Sequence, residues 1–357
     1  MTEFSWLAVP LSFCVSAVAL IVFRKMAPSW GLLDQPSERK LHTTHSPLIG
    51  GLTVACGIAI SASLWLPMNA LTGSFLVGAG IIILIGLLDD RYDVSVGARI
   101  LGQSLAAGIV MVYGSAYLVS LGNLAALGDI QLGVFAVPFT LVAFVGVMNA
   151  FNMIDGIDGL LGMSSLIALA GFTLLSYLAG NSMLVWIGGV CIASLLPYLL
   201  SNIQADTHPF KIFMGDAGSL LMGFTLTWLF IVGSQPHLGS NTVIDPVTTL
   251  FLIAIPLMDI VTVLARRLKQ KRSPWLADRQ HIHHLFEKAG YSQRQTLFWL
   301  TLIMLGVASL GVVLQYVQLA VWQRFAIMLL LVLAFIVLTK LLKNKMTRLQ
   351  HSQANVN

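Results

Sequence analysis

The chain has 357 residues, of which 57% are hydrophobic and only 10% are charged. Soluble domains carry roughly 45–50% apolar and about 25% charged residues, so this composition excludes an ordinary soluble protein and indicates an integral membrane protein. The net charge of +5 does not indicate nucleic-acid binding, because the basic residues lie beside apolar stretches, where they orient membrane spans. Cys14, Cys56 and Cys191 lie inside apolar stretches without a paired or metal-ligand spacing, so they predict no disulfide framework.

Apolar runs recur along the whole chain. A helix that crosses a bilayer needs about 20 apolar residues, within a range of about 17–25. The sequence therefore predicts an all-α polytopic membrane protein with about eleven transmembrane helices. We expect one integral membrane catalytic domain over residues 1–342 and a polar cytoplasmic tail over 343–357, frayed from Gln350. The predicted helices span residues 5–23, 47–67, 73–88, 99–121, 131–148, 159–179, 184–200, 217–233, 245–265, 296–315 and 322–342.

The positions of Lys and Arg predict how these helices are oriented. No basic residue precedes the first apolar run, and Arg24 and Lys25 follow it, which is the reverse of a secretory signal peptide. The run should therefore remain as a helix with its N-terminus outside. Nineteen of the twenty Lys and Arg residues then fall on the cytoplasmic side, and only Arg324 falls outside. We expect the active site and the C-terminus on the cytoplasmic side, where most carboxylates that border apolar runs also lie.

The first cytoplasmic loop carries three basic side chains. Arg39, Lys40 and His42 precede the segment 46–51. Basic residues at a membrane edge usually serve as orientation signals, so orientation and substrate contact are both open interpretations here.

Asp89 and Asp90 close the apolar run that precedes them. Two adjacent carboxylates disfavour joint ionisation unless a cation or a phosphate-bound metal compensates their charge. A solvated helix end is the alternative, but acidic residues are least stabilised at a helix C-terminus. The pair therefore favours a functional role.

The segment 149–159 carries polar side chains at intervals of three residues. Neighbouring members could share a helix face, but the direction drifts by about 60° per step, so the four cannot form one straight row of ligands. The glycines among them loosen the helix and let a phosphate or a sugar approach the backbone. An ordinary turn would need Gly and Asp but not this series, which favours a binding or catalytic segment. Its members are Asn149, Asn152, Asp155 and Asp158.

Two further aspartates lie near the ends of apolar runs. Asp216 precedes the run from Leu220 and could cap that helix. Magnesium ligation is the other interpretation, because Mg²⁺ takes one or two carboxylates together with substrate phosphate oxygens. Asp259 lies partly inside the membrane and is therefore a candidate, with Arg266 and Arg267 as alternative partners.

The longest cytoplasmic loop contains three histidines. On a helix, His281 and His284 would share a face that excludes His283, so one metal held by three imidazoles is not the natural interpretation. No cysteine lies nearby to complete a zinc site. Arg279 and the histidines suit phosphate contacts better.

Taken together, these motifs resemble the polyprenyl-phosphate N-acetylhexosamine-1-phosphate transferase superfamily. The likeness is strongest to its bacterial branch that uses UDP-N-acetylglucosamine and undecaprenyl phosphate. The resemblance implies transfer of the sugar 1-phosphate to the lipid, release of UMP, magnesium or manganese as cofactor, and a multi-pass location in the bacterial inner membrane. It also implies the first membrane step of a cell-surface polysaccharide such as O antigen. The motifs that carry the likeness are residues 47–51, 89–90, 149–159, 213–219, 255–259 and 278–284.

The resemblance further implies roles for individual residues. Asp216 would be the principal metal ligand, and Asp89 and Asp90 would hold the lipid phosphate, with Asp89 also near the cation. Asp155 and Asp158 would belong to the nucleotide-sugar site. The catalytic candidates are Asp89, Asp90, Asp155, Asp158 and His281, and the substrate-binding candidates are Arg39, Lys40, His42, Asn149, Asn152, Arg279, His283 and His284.

Other functions stay open at this point. The same reaction could use a different UDP-N-acetylhexosamine, since small pocket differences separate epimers. A related branch that transfers muramoyl-pentapeptide has three successive histidines, whereas Ile282 divides them here. A cation-coupled transporter would place polar groups near the midplane, whereas this chain concentrates them at one face. The expected partners are the nucleotide sugar, the polyprenyl phosphate and membrane lipid, without nucleic acid, and a homodimer is an open alternative for the oligomeric state.

The charge distribution predicts the sidedness of two positions. After replacement of the three native cysteines, single cysteines at Ser240 and at Gln353 should react from opposite sides of the membrane. An impermeant maleimide applied to intact spheroplasts and to inverted vesicles measures this directly. Labelling of both positions from the same side would contradict the eleven-helix topology.

Overall fold

A computed structural model describes residues 6–34, 46–205, 208–238, 242–271 and 281–354, with side chains as far as residue 347. Within these ranges almost all regular structure is helical, apart from 3₁₀ turns at Gly133–Phe135 and Pro236–Leu238. Two short antiparallel strands, β1 (Leu33–Asp34) and β2 (Ser46–Pro47), pair with each other. The helices are α1 (Ala8–Trp30), α2 (Gly50–Trp65), α3 (Ala70–Tyr92), α4 (Val96–Val112), α5 (Ala136–Ile154), α6 (Leu160–Leu178), α7 (Ser182–Asn202), α8 (Gly215–Ser234), α9 (Pro246–Leu252), α10 (Ala254–Lys269), α11 (Ile282–Lys288), α12 (Gln293–Tyr316) and α13 (Val321–Ala354).

Eight helices of the described chain are long and apolar enough to cross a bilayer: α1, α3, α5, α6, α7, α8, α12 and α13. The pair α9–α10 makes a ninth if it counts as one span, but it bends by 88° at the break between the two helices. The predicted spans 47–67 and 99–121 correspond to α2 and α4, which have only 16 and 17 residues. The polytopic all-α fold is thus confirmed, while the ninth span is broken and two others are short.

Helix α8 lies at the centre of the bundle. All its residues from Ala217 to Ser234 are buried, and it packs against α2, α3 and α5. Small residues let the helices approach closely at its N-terminal end. A Cβ on Gly86 of α3 would lie 2.2 Å from the Ala217 Cα, and one on Gly51 of α2 would lie 2.3 Å from the Gly218 amide nitrogen. Only glycine fits at these two crossings, which bring the end of α3 and the start of α2 against the start of α8.

Backbone hydrogen bonds fix the segment that leads into α8. The Phe213 amide donates to the Pro47 carbonyl at 2.9 Å. In return, the amides of Gly50 and Gly51 donate to the carbonyls of Phe213 and Met214, at 2.9 and 3.0 Å. The motif 47–51, far away in sequence, therefore forms one wall beside the start of α8.

The one cation that the charge count places outside, Arg324, lies at the opposite end of the bundle. Arg324 at the start of α13 is 4% exposed. Its guanidinium donates to the Asp245 carboxylate at 2.6 Å and to the Thr248 hydroxyl at 2.8 Å. A buried arginine must be paired, and this one ties α13 to α9. At its other end α13 stays helical to Ala354. The assignment of 343–357 as a separate polar tail stays a prediction.

Two glycines on α3 offer a matched test of the central crossing. Gly86→Ala should destabilise the protein, because its Cβ would meet the backbone of Ala217, and overpacking of this kind typically costs about 1–3 kcal/mol. Gly80→Ala should be neutral or slightly stabilising, because nothing lies within 4 Å of its Cβ and alanine favours helix. Thermal unfolding of both purified variants in detergent is the measurement. Equal unfolding temperatures would refute the close α3–α8 contact.

Candidate active site

A cleft of about 1160 Å³ opens where α3 and α5 end and α8 begins. Eight carboxylates line it, and Arg91 is the one Lys or Arg in its described lining. The cleft is therefore strongly acidic. The sequence-predicted residues that line it are Asp89, Asp90, Asn152, Asp155, Asp158, Asp216 and His284, and the other carboxylates are Asp34, Asp93 and Glu287.

Asp90 caps helix α8 from a different helix. A helix start leaves several backbone amides without partners, and the residue before α8, Met214, supplies no side-chain cap. The two carboxylate oxygens of Asp90 accept hydrogen bonds from the amides of Asp216 and Ala217, at 2.7 and 3.2 Å. The interpretation of Asp216 as the cap is therefore wrong. Its carboxylate is available for other contacts.

Asn152 holds the carboxylate of Asp216. One amide group of Asn152 donates both to the Asp216 carboxylate and to the Ser219 hydroxyl, the latter at 3.0 Å. The Asp89 carboxylate lines the same cleft and lies close enough to Asp216 for their charges to interact. Two carboxylates this close repel each other when both are ionised, so the pair favours a shared proton or a bound cation.

Asp89 is already engaged on both oxygens. It accepts hydrogen bonds from the Val94 amide and from the Arg99 guanidinium, each at 2.9 Å. Asp89 is 6% exposed, so this charged pair is largely shielded from water. Asp89 therefore fixes the turn between α3 and α4, and Arg99 compensates its charge. Sequence reasoning assigned Arg99 only to membrane orientation.

A buried lysine compensates Asp158 in a similar way. The Lys211 ammonium lies 2.5 Å from the Asp158 carboxylate and 2.8 Å from the Gln204 carbonyl. Lys211 is 3% exposed, and a buried lysine requires such partners. Sequence reasoning missed this contact, although Lys211 is the one basic residue of its loop.

Asp155 differs from Asp89 and Asp158, because no Lys or Arg of the described residues pairs with its carboxylate. It follows α5 directly and is partly exposed to the cleft. Desolvation, followed by the negative charges of Asp216 and Asp158, raises the pKa of Asp155 from 3.8 to about 8. Without a cation, this raised pKa favours the protonated form of Asp155 at neutral pH.

The remaining member of the polar series, Asn149, turns inward. It is buried, and its amide donates to the Gln103 side chain and to the Val145 carbonyl, each at 2.8 Å. Asn149 does not line the cleft. Its assignment to the substrate stays a prediction, as do those of Arg39, Lys40, His42 and Arg279, which lie outside the described residues.

The histidine loop is anchored by Asp259. One Asp259 oxygen lies 2.7 Å from the His281 Nδ1, and the other accepts the Ile282 amide at 2.9 Å. Both side chains are buried, and Asp259 pairs with His281 instead of Arg266 or Arg267. The contact joins the start of α11 to α10. Neither His281 nor His283 lines the cleft, so a direct substrate role for either stays a prediction.

His283 and His284 occupy different environments. His283 is 1% exposed, and its ring nitrogens have no hydrogen-bond partner in the described chain. Burial, followed by the neighbouring His284 and His281, lowers the pKa of His283 well below its usual value, so the ring is neutral. A Cβ on Gly156 would lie 2.1 Å from the His283 Nε2, so this glycine lets the ring pack beside Asp155. His284 faces the cleft beside Glu287, at 3.2 Å.

The donor set fits a hard divalent cation shared with a substrate. In the described part of the chain, no three His, Cys, Asp or Glu side chains form a complete metal cage. Magnesium does not require one, because one or two carboxylates suffice when substrate phosphates supply the other oxygens. Asp216 with Asp89 offers such a pair in an acidic cleft.

Comparison with known proteins defines the class. Residues 72–234, from α3 to the end of α8, match the model of glycosyl transferase family 4. The chain belongs to this family of transferases and is a multi-pass membrane enzyme.

Individual relatives share one name, undecaprenyl-phosphate alpha-N-acetylglucosaminyl 1-phosphate transferase. The protein of Escherichia coli (strain K12) is 39% identical over 90% of this chain and 87% of its own length. That of Yersinia pestis is 40% identical over 84% and 82%, respectively. That of Haemophilus influenzae is 35% identical over 89% of both chains. The similarity thus covers nearly the whole membrane bundle.

The raised pKa of Asp155 predicts how stability depends on pH. Since the folded-state pKa lies above the ordinary value of 3.8, the folded protein binds more protons, and stability should fall as the pH rises toward about 8. In chelator-containing buffer, Asp155→Asn should show a flatter fall in unfolding temperature between pH 5 and pH 8. Parallel curves for the two proteins would show that Asp155 is ionised throughout this range.

Proposed function

We propose that this protein transfers N-acetylglucosamine 1-phosphate from UDP-N-acetylglucosamine to undecaprenyl phosphate and releases UMP. The relatives carry this activity in their names and are similar over most of the chain. One observation carries the proposal, which is the acidic cleft at the end of an apolar bundle. A lipid phosphate can reach such a cleft from the bilayer, and a nucleotide sugar can reach it from the solvent.

The charge of the cleft supports magnesium as the cofactor. Both substrates are anionic, and eight carboxylates would repel them. Bound magnesium supplies the positive charge that neutralises the phosphates. We assign Asp216 as its principal ligand, because Asn152 orients this carboxylate toward the cleft. Asp89 is the second candidate, although Arg99 already shares its charge.

The acceptor phosphate needs little help from a base. Its second pKa lies near about 6, so it is largely a dianion at neutral pH. The hydrogen bonds of Asp89 and Asp90 hold these carboxylates in place, which suits positioning groups. We therefore favour direct, in-line displacement on the sugar-bearing phosphorus, with UMP as leaving group. A covalent route would need a carboxylate free to attack, and Asp155 is the candidate for it.

The sidedness of the reaction follows from the charge bias. Because the predicted topology puts nineteen of twenty Lys and Arg residues on the side where α3 ends and α8 begins, we place the cleft on the cytoplasmic face of a bacterial inner membrane. The lipid-linked sugar would then start a cell-surface polysaccharide. We propose UDP-N-acetylglucosamine as the sugar donor, and the alternative donor is a different UDP-N-acetylhexosamine.

Release of UMP tests the proposal. Purified protein should form UMP only when undecaprenyl phosphate, UDP-N-acetylglucosamine and magnesium are all present. Asp216→Asn should lose most of this turnover while the unfolding temperature changes little, because the neutral side chain keeps the same shape. A panel with UDP-N-acetylgalactosamine and 6-deoxy sugars identifies the donor. UMP release without the lipid, or wild-type turnover in Asp216→Asn, would contradict the proposal.

A further inference from the structure

The short helix α11 brings two side chains of the histidine loop into the acidic cleft. These are His284 and Glu287, which line the cleft next to each other. The opposite face of α11 is buried, with Ile282, Leu285 and Phe286 each 5% exposed or less. A helix of seven residues is not stable by itself, because isolated helices below about 12–15 residues are marginal in water. The placement of His284 and Glu287 therefore depends on the contacts that hold α11.

A Schellman motif closes the C-terminal end of α11. Gly290 has a φ of 90°, in the left-handed region, and its amide donates to the Glu287 carbonyl at 2.9 Å. The Tyr291 amide donates to the Phe286 carbonyl at 3.1 Å. The rings of Tyr291 and Phe286 also meet, with their centres 5.3 Å apart, which is the apolar contact typical of this motif. Tyr291 therefore fixes where α11 ends.

The C-terminal part of α13 contacts the same tyrosine. The Lys345 ammonium lies 4.1 Å from the centre of the Tyr291 ring, within the range of a cation–π interaction. Leu342, one turn earlier on α13, is 6% exposed and belongs to the same apolar cluster as Leu285 and Phe286. Helices α11 and α13 pack against each other, and the other main neighbours of α13 are α9 and α10. The cleft aspartates lie on α3, after α5 and on α8, so α13 reaches the cleft mainly through α11.

The other end of α13 is fixed as well. Arg324 pairs with Asp245, next to α9. At a rise of 1.5 Å per residue, Lys345 lies about 30 Å from Arg324 along the helix, which is about the thickness of the hydrocarbon core. Helix α13 therefore joins the end of the bundle opposite the cleft to the helix that carries His284.

Helix α11 lies beside the segment that we assign to the nucleotide sugar. His283 packs against Gly156, which stands between Asp155 and Asp158. The neighbouring His284 is a substrate-binding candidate that faces the same cleft. A displacement of α11 would therefore act first on the nucleotide-sugar side of the cleft.

We infer that the C-terminal part of α13 positions the nucleotide-sugar side of the cleft, with Tyr291 and Lys345 as positioning residues. This rests on the proposed function, because it names residues that set the geometry of that site. Lys345 holds the Tyr291 ring, Tyr291 closes α11, and α11 presents His284 and Glu287 to the substrate. Neither Tyr291 nor Lys345 lines the cleft, so both act on the substrate through α11.

Kinetics of the full-length protein test the inference. Lys345→Gln should raise the KM for UDP-N-acetylglucosamine about threefold and leave the KM for undecaprenyl phosphate unchanged, since an exposed cation–π contact contributes about that factor. Tyr291→Ala removes both ring contacts and should raise the same KM about tenfold. Lys345→Arg keeps a cation and Tyr291→Phe keeps a ring, so both should stay close to the wild type. Lys340→Gln is the matched control, because it removes the same charge from an exposed position of α13 that has no ring contact among the described residues.

Hydrogen exchange measures the placement of α11 independently of activity. In Lys345→Gln and Tyr291→Ala, the amides of residues 289–291 should exchange faster than in the wild type, because the end of α11 opens more often. The amides of α8 should keep their wild-type rates, and Lys340→Gln should change neither region. Wild-type exchange at residues 289–291 in both variants would overturn the inference.

The inference and the proposed function fail in different ways. If the wild type releases UMP but Tyr291→Ala keeps the wild-type KM for the nucleotide sugar, the positioning role is wrong and the proposed function stands. An equal rise in the KM values of both substrates would also contradict the positioning role, because Tyr291 would then support the fold in general. If the wild type releases no UMP, the proposed function is wrong, and hydrogen exchange still decides whether α13 holds α11.

Discussion

The site depends on the hydrogen bonds that the free backbone amides at the N-terminus of α8 make inside the protein. Backbone amides at a buried helix start need acceptors, and the Asp90 carboxylate provides two of them from α3. This contact requires the close crossing at Gly86. One interaction thereby holds α3 and α8 together and places Asp89 next to Asp216. The central helix is buried along its length, so its start gives the cleft a rigid floor.

Charge compensation then divides the cleft into two classes of carboxylate. Arg99 pairs with Asp89, and Lys211 pairs with Asp158, so protein cations compensate these two. Among the described residues no Lys or Arg pairs with Asp155 or Asp216, and Asn152 orients Asp216 without neutralising it. Ionisation of these carboxylates is therefore unfavourable in the protein alone. A bound divalent cation favours it, because the cation neutralises the carboxylates and the substrate phosphates together.

The sequence could predict much of the fold because long apolar runs and the bias of basic residues are local signals. It also identified the aspartates at the ends of these runs. It could not show which carboxylate caps α8. The capping residue is Asp90, which lies 126 residues before Asp216, whose amide donates the hydrogen bond. Periodicity likewise could not show that Asn149 packs on Gln103 or that Asp259 pairs with His281, since both contacts join separate helices. Arg99 and Lys211 were missed because a buried cation and an orientation signal look the same in sequence.

The central claim is that the carboxylates at the start of α8 bind one divalent cation together with the nucleotide sugar. Electron paramagnetic resonance of Mn²⁺, titrated into the purified protein with UDP-N-acetylglucosamine, measures this directly. The account predicts one bound Mn²⁺ per chain, lost in Asp216→Asn and retained in Asp129→Asn, whose carboxylate is exposed and lies outside the cleft. Wild-type Mn²⁺ binding in Asp216→Asn would contradict the account.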